Sequence, residues 1–340
     1  MKKCLLVCWF GKFSNFFPIW IKSCLKNEDF DFIVFNDQKD KEECYGNVRF
    51  IPLSKAEFCA RASRVLDLNV NLSFSYKICD FRPAFGLIFN EIIKEYDFWG
   101  YCDTDLVFGK LNSFITDEVL NDVEAVFNGG HFSLFKNNDK INNLFKQKGA
   151  LFSYKKVFTS NKKFAFDETT GIYKIAEKNF IRFIYGITFV DADCRFSQIR
   201  SRLDSVNPEH QVYYWENGVL FRVKEESNNI FYQKLAYIHL QKRKMNINNE
   251  TIGNTNSFWI DSHIIKPKKY DGFPSIEDVK KCNVFPGETV LHKELKKYKI
   301  SKIIQYLKSG PAQLFIRIRQ SFSGINFRDG KCKEVLWVKF

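Results

Sequence analysis

Two hydrophobic periods alternate along the chain. Residues 4–10 are an unbroken apolar run stopped by Gly11, the pattern of a strand buried on both faces of a parallel sheet. Residues 18–26 read as a short helix with Pro18 in its first turn. Residues 30–35 and 48–53 read as the next two strands. Strand, helix and strand at this spacing make a βαβ unit, which opens an α/β sheet of the nucleotide-binding kind. Residues 54–66 and 83–96 carry helical periodicity, and in the second Phe85, Ile88, Phe89, Ile92 and Ile93 share one face. Residues 98–102 form a strand that runs straight into Asp103-Thr104-Asp105. Further strands are expected at 125–127, 132–135, 212–215, 219–223 and 235–240, with a short helix at 138–148. Glu216-Asn217-Gly218 between two of these strands is a hairpin signal.

Charge changes the picture only near the end. Of a net +13 over 340 residues, most lies in residues 291–340, which hold twelve Lys/Arg against three Asp/Glu. Ile300, Ile303, Ile304 and Leu307 have helical spacing there, among Lys296, Lys297, Lys299, Lys302 and Lys308. Pro311 opens a second segment with Leu314, Phe315 and Ile318 as its apolar face and Arg317 and Arg319 beside it. The expected division is therefore a domain over 1–288 and a basic amphipathic helical extension over 289–340. A nucleic-acid-binding protein would carry a basic face with interleaved aromatic platforms. Confinement of the charge to the tail argues against a nucleic-acid partner. The tail suits contact with an anionic membrane surface, or else two ordinary packing helices with solvated lysines. No apolar stretch approaches the length of a membrane span, and the first apolar run is too short for a signal peptide. Ten scattered cysteines without Cys-x-x-Cys give no disulfide framework and no structural zinc. The expected location is cytoplasmic, with a peripheral position on the inner face of the cytoplasmic membrane.

The chemistry concentrates at Asp103 and Asp105. Residues i and i+2 of an extended segment point to one side. Like charges held together at a strand end call for a cation, and a divalent ion takes oxygen ligands. Asp191-Ala192-Asp193 is a rival with the same spacing. Lys77, Asp80 and Arg82 sit at the expected start of helix 83–96, where a phosphate and a sugar hydroxyl would be held; the plainer reading is a capped helix with a local Asp80–Arg82 pair. In Asn128-Gly129-Gly130-His131 the glycines allow close approach of a substrate, which makes His131 a candidate acceptor contact, the plainer reading being a turn or packing histidine. Asp167 and Glu168 are adjacent acids in a polar stretch. A sugar nucleotidyltransferase would want a glycine-rich loop after the first strand, and only Gly11 follows it.

YKICDFRPAFG at 76–86 and DFWGYCDTDLVFGKL at 97–111, with a late His239 followed by Lys242-Arg243-Lys244, resemble the GT-A class of metal-dependent glycosyltransferases. More narrowly, they resemble a family with an Asp-x-Asp motif that builds bacterial cell-surface polysaccharide. The resemblance is strongest over 76–137, weaker over 1–75 and 138–245, and leaves the tail uncovered. It implies a GT-A-like α/β fold, with a mixed, mostly parallel central sheet flanked by helices and a helical C-terminal extension. It implies transfer of a sugar from a nucleotide-diphosphate sugar, UDP by analogy, to a saccharide or lipid-linked saccharide in capsule, O-antigen or lipopolysaccharide synthesis. Asp105 would bind the metal, Asp103 the ribose and the metal edge, and His239 would be the third metal ligand. Lys77 and Arg243 would meet the diphosphate, and Asp80 and Arg82 would hold the donor. Asp167 or Glu168 would deprotonate the acceptor hydroxyl or orient it. Carboxylates with one imidazole suit Mn²⁺, with Mg²⁺ second. The alternative is a silent scaffold, which would be expected to lose Asp103 or Asp105.

Overall fold

Strand β1 (Lys3–Trp9) is buried along nearly its whole length, as its unbroken apolar run requires. The computed structural model describes residues 1–241, 243–248, 252–268, 272–323 and 338–339; Lys242 of the basic cluster and the tail residues 324–337 and 340 lie outside it. After β1 come β2 (Phe30–Asn36), β3 (Glu43–Tyr45), β4 (Val48–Pro52), β5 (Phe98–Cys102), β6 (Leu106–Phe108), β7 (Ala125–Phe127), β8 (Phe132–Lys136) and β9 (Phe183–Tyr185). All but β6 join an eight-stranded sheet of order β3-β4-β2-β1-β5-β8-β7-β9. Pairing is parallel from β4 through β2 and β1 to β5, and again between β7 and β9. The fold is therefore mixed α/β with a parallel-rich sheet.

Alternate side chains of β1 feed opposite layers. Cys4, Leu6 and Cys8 pack with Phe58, Phe85 and Trp99 on one face. Leu5 and Val7 pack with Phe17, Trp20 and Phe32 on the other. The helix Phe17–Cys24 covers the second face, and the helix Lys55–Leu66, started by a Ser54/Glu57 capping box, covers the first.

From β10 (Phe189–Asp191) the chain enters an antiparallel meander of β11 (His210–Glu216), β12 (Val219–Glu226) and β13 (Asn229–Leu235), then drops into β14 (Tyr237–His239). β14 lies between β10 and β6 in a three-stranded sheet. β15 (Asn246–Ile247), β16 (Ser257–Ile260), β17 (Ile264–Pro267) and β18 (Val338–Lys339) widen the meander to seven strands. Asn217 and Gly218 at the β11–β12 turn both take positive φ, as the Asn-Gly signal requires.

Two local expectations change. The expected helix over 138–148 is a single turn, Asp139–Asn142, followed by a 3₁₀ turn, Leu144–Lys146. Residues 83–96 are not one helix. A 3₁₀ run over Ser75–Ala84 leads into two single helical turns, Phe85–Ile88 and Asn90–Ile93. Pro83 removes one backbone donor, and Gly86 lies against the Trp99 indole, where a Cβ would come within 2.4 Å. The apolar face survives, with Phe85, Ile88, Phe89 and Ile93 buried. Two helices, Glu288–Lys308 and Pro311–Ser323, follow the meander. Among the described residues, no helix is long and apolar enough to cross a membrane.

Candidate active site

β1 lies between β2 and β5, so the chain leaves it toward both sides of the sheet. Crevices open at such a switch point, beyond the carboxyl ends of the strands. Here a cleft of about 1690 Å³ is bordered by the loop after β1, by Asp103 and Asp105 after β5, and by His239 at the end of β14. Two strand registers complete the cluster. β6 places Leu106 opposite His239, and β10 places Asp191 opposite it on the other side.

The Asp191 carboxylate lies 2.9 Å from His239 Nδ1 and also accepts from Gln241 Nε2 at 2.6 Å. A carboxylate only accepts, so Nδ1 carries the proton and Nε2 is turned toward the Asp-x-Asp pair. His239 Nε2 is 3.4 Å from Asp105 Oδ1 and 3.9 Å from Asp103 Oδ2. Burial pushes the His239 imidazole down, but Asp105 and Asp191 outweigh it and raise its pKa to about 10. Burial raises Asp105, and His239 offsets only part of that. Burial also raises Asp103, but Arg82 and His239 overcome it and hold the group below its ordinary value. The cluster is thus arranged around positive charge. Asp103, Asp105 and His239 each present a ligand atom within 4.8 Å of the others. This O, O, N donor set fits a divalent ion such as Mn²⁺, with Mg²⁺ as the harder alternative.

Arg82 ties the acids to two loops. Its Nη2 donates to Asp103 Oδ1, and its Nη1 donates to the Gly130 carbonyl at 2.6 Å and to Asp167 Oδ2 at 3.1 Å. Asp167 is buried, and among the described residues its Oδ1 has no hydrogen-bond partner. Burial dominates over Arg82 and pushes its carboxyl up to about 8. Glu168 beside it is exposed on the cleft wall. Gly130 makes this contact possible, since a Cβ there would come within 2.7 Å of Glu168 Cγ. His131 stacks beneath His239, with ring centroids 4.2 Å apart, and its Nε2 is 3.1 Å from Tyr237 Oη. Burial, with His239 adding to it, lowers its pKa to about 3 and keeps the ring neutral.

Other expected residues lie elsewhere. Lys77 and Asp80 are fully buried and do not line the cleft. Lys77 Nζ donates to Asp80 Oδ2 at 2.8 Å and to the Val157 carbonyl at 2.7 Å. Asp80 in turn accepts from the Phe164 and Phe166 amides, so the pair anchors the loop that carries Asp167 instead of meeting a diphosphate. Arg243 borders the cleft, but its guanidinium donates to the carbonyls of Asp193, Phe196, Ser197, Gln198 and Ser262. It pins the 193–198 loop. The rival Asp-x-Asp divides, with Asp191 serving His239 while Asp193 pairs with Arg195. Two cleft residues have roles that the sequence pattern does not show. One is Asp191 as the partner of His239. The other is Lys163, whose Nζ lies 3.7 Å from the Tyr76 ring centroid. Burial lowers the Lys163 ammonium, but Cys79, Tyr76 and Asp167 outweigh it and hold its pKa above the ordinary value.

Comparison with curated proteins gives no match. Among solved structures, the glycosyltransferase GlyE of Streptococcus pneumoniae TIGR4 is similar to part of this chain. One crystal structure has 14% identity and a TM-score of 0.26, covering 41% of this chain and 35% of that one. Its apo form has 13% identity and a TM-score of 0.30, covering 54% and 45%. The chain thus spans less than half the length of these structures. Residues 5–269 match a family model, and the chain belongs to that family, described as a family of unknown function (DUF6625).

Proposed function

We propose that the chain is a metal-dependent glycosyltransferase that uses a nucleotide-diphosphate sugar. One observation carries the reading. Asp103, Asp105 and His239 converge at the strand ends of a switch-point cleft, with His239 held in the ligating orientation by Asp191. The donor as a UDP-sugar, the acceptor as a saccharide or lipid-linked saccharide of surface polysaccharide, and a cytoplasmic location rest on the sequence resemblance and the cysteine pattern.

Asp103, Asp105 and His239 would hold the divalent ion, which supplies positive charge to a departing nucleoside diphosphate. The protein's own groups do the rest. Arg82 fixes one Asp103 oxygen and leaves the other facing His239. Lys163 adds a cation to the wall that carries Glu168. Glu168, the exposed acid, orients the acceptor hydroxyl or takes its proton. Asp167 stands behind it and positions Arg82. His131 stacks on His239 and also borders the cleft, where it would meet the acceptor.

The test is hydrolysis of UDP-, GDP- and CMP-sugars by the full chain with Mn²⁺, Mg²⁺ or EDTA, followed chromatographically. Metal-dependent release of nucleoside diphosphate from one donor, lost in Asp105→Ala, is the expected result. Folded protein that hydrolyses no donor under any condition overturns the reading and favours a silent scaffold.

A further inference from the structure

The helix Glu288–Lys308 is held to the body by one face. Leu291 is buried, and Glu294 Oε2 accepts from the Ser197 amide at 3.1 Å. The next helix, Pro311–Ser323, buries Ile316 in the core layer that holds Phe152 and Phe164, and its Gln313 donates to the Lys163 carbonyl at 2.9 Å. These anchors fix which faces remain outside.

Ile300, Ile303, Ile304 and Leu307 occupy i, i+3, i+4 and i+7, a single stripe on the first helix. They are 50, 59, 47 and 70% exposed. Phe315 and Ile318 on the second helix are also exposed. Scattered exposed apolar residues need no explanation, whereas a continuous stripe turned away from the core does. Its surroundings carry one sign. Residues 295–319 hold seven Lys/Arg and no Asp/Glu. Lys296, Lys297, Lys299 and Lys308 are exposed along the stripe. A second copy of the chain would set these cations against their own kind, which disfavours self-association. An anionic bilayer satisfies both features. Apolar side chains sink below the headgroups, while lysine stems lie along the interface and bring their ammonium groups to phosphates.

We propose that the helical pair Glu288–Ser323 docks on an anionic membrane surface through the Ile300–Leu307 stripe and its flanking lysines. The proposal is independent of the transferase reading, because its test needs neither donor nor metal. The full chain is sedimented with vesicles of phosphatidylcholine, with or without phosphatidylglycerol, at low and high salt. Wild type should partition to the anionic vesicles and be released by salt. Ile303→Ser/Leu307→Ser should weaken partitioning roughly 25-fold, from about half-burial of two apolar side chains. Lys296→Gln/Lys297→Gln/Lys299→Gln should weaken it roughly 100-fold. All five positions are solvent-facing, so unchanged melting temperatures should show that both variants fold. The proposal is overturned if wild type ignores anionic vesicles, binds both vesicle types equally, or binds no better than the variants. It is also overturned if sedimentation velocity finds a dimer that Ile303→Ser/Leu307→Ser dissociates, since a second copy then covers the stripe. Loss of donor hydrolysis without loss of vesicle binding would count against the transferase reading alone.

Discussion

Asp191→Asn isolates the residue that aims His239. The side chain keeps its shape, and Gln241 Nε2 already donates to the oxygen that faces His239 Nδ1, so the Asn oxygen should stay there. What is lost is charge. A hydrogen bond to a charged group contributes about 1.5–3 kcal/mol and a neutral one about 0.5–1.5 kcal/mol, so this 2.9 Å bond should weaken by about 1–1.5 kcal/mol. Replacing the partner of a ligating histidine costs roughly 10–100-fold in metal affinity, or about 1.4–2.7 kcal/mol. The two routes meet near a ten-fold loss. Mn²⁺ titration followed by the electron paramagnetic resonance signal of the free ion measures it, with thermal melting to establish the fold. Affinity within two-fold of wild type would refute the argument that Asp191 holds His239 ready for a cation.

Three further perturbations follow. Lys77→Met strands the Asp80 charge in the interior and should destabilise the fold by about 3–5 kcal/mol in urea melts, yet leave donor affinity per folded molecule unchanged; a selective loss of donor binding would restore Lys77 to the site. Asp167 keeps its proton to about pH 8 when folded, against an ordinary value of 3.8. Stability from this group is therefore full below pH 3.8 and falls as pH rises toward 8, and Asp167→Asn should flatten that decline in melts across the range; an unaltered slope would contradict the assignment. Gly130→Ala pushes a methyl into Glu168 and should lower donor hydrolysis at least ten-fold, on the order of a misplaced catalytic group; wild-type rates would show that this contact does not set the acid's position.

The parts of this molecule written in local pattern were legible. The apolar runs of β1, β2 and β4, the Asn-Gly turn and the helical period of residues 54–66 each act within a few residues. The position of Asp103 and Asp105 at a strand end was legible because the apolar strand Phe98–Cys102 before them is itself a local pattern. Asp191 was not, because its role exists only through the pairing of β10 with β14, which joins residues 48 apart in sequence. Lys77 misled for the opposite reason. Its spacing to Asp80 and Arg82 reads the same whether the segment opens a helix at the cleft or, as here, winds through a 3₁₀ run that turns Lys77 inward and Arg82 toward the acids. The later strands of the meander, β16 and β17, are four residues each, too short for alternation to separate from loop.

The central claim is that Asp103, Asp105 and His239 hold a divalent ion where a nucleotide-diphosphate sugar binds. Titration calorimetry of the full chain with UDP-sugars, in Mn²⁺ and then in EDTA, tests it most directly. The account predicts binding of one donor in Mn²⁺ that disappears in EDTA and in Asp105→Ala. Donor binding of equal strength in EDTA, or in Asp105→Ala, would contradict it.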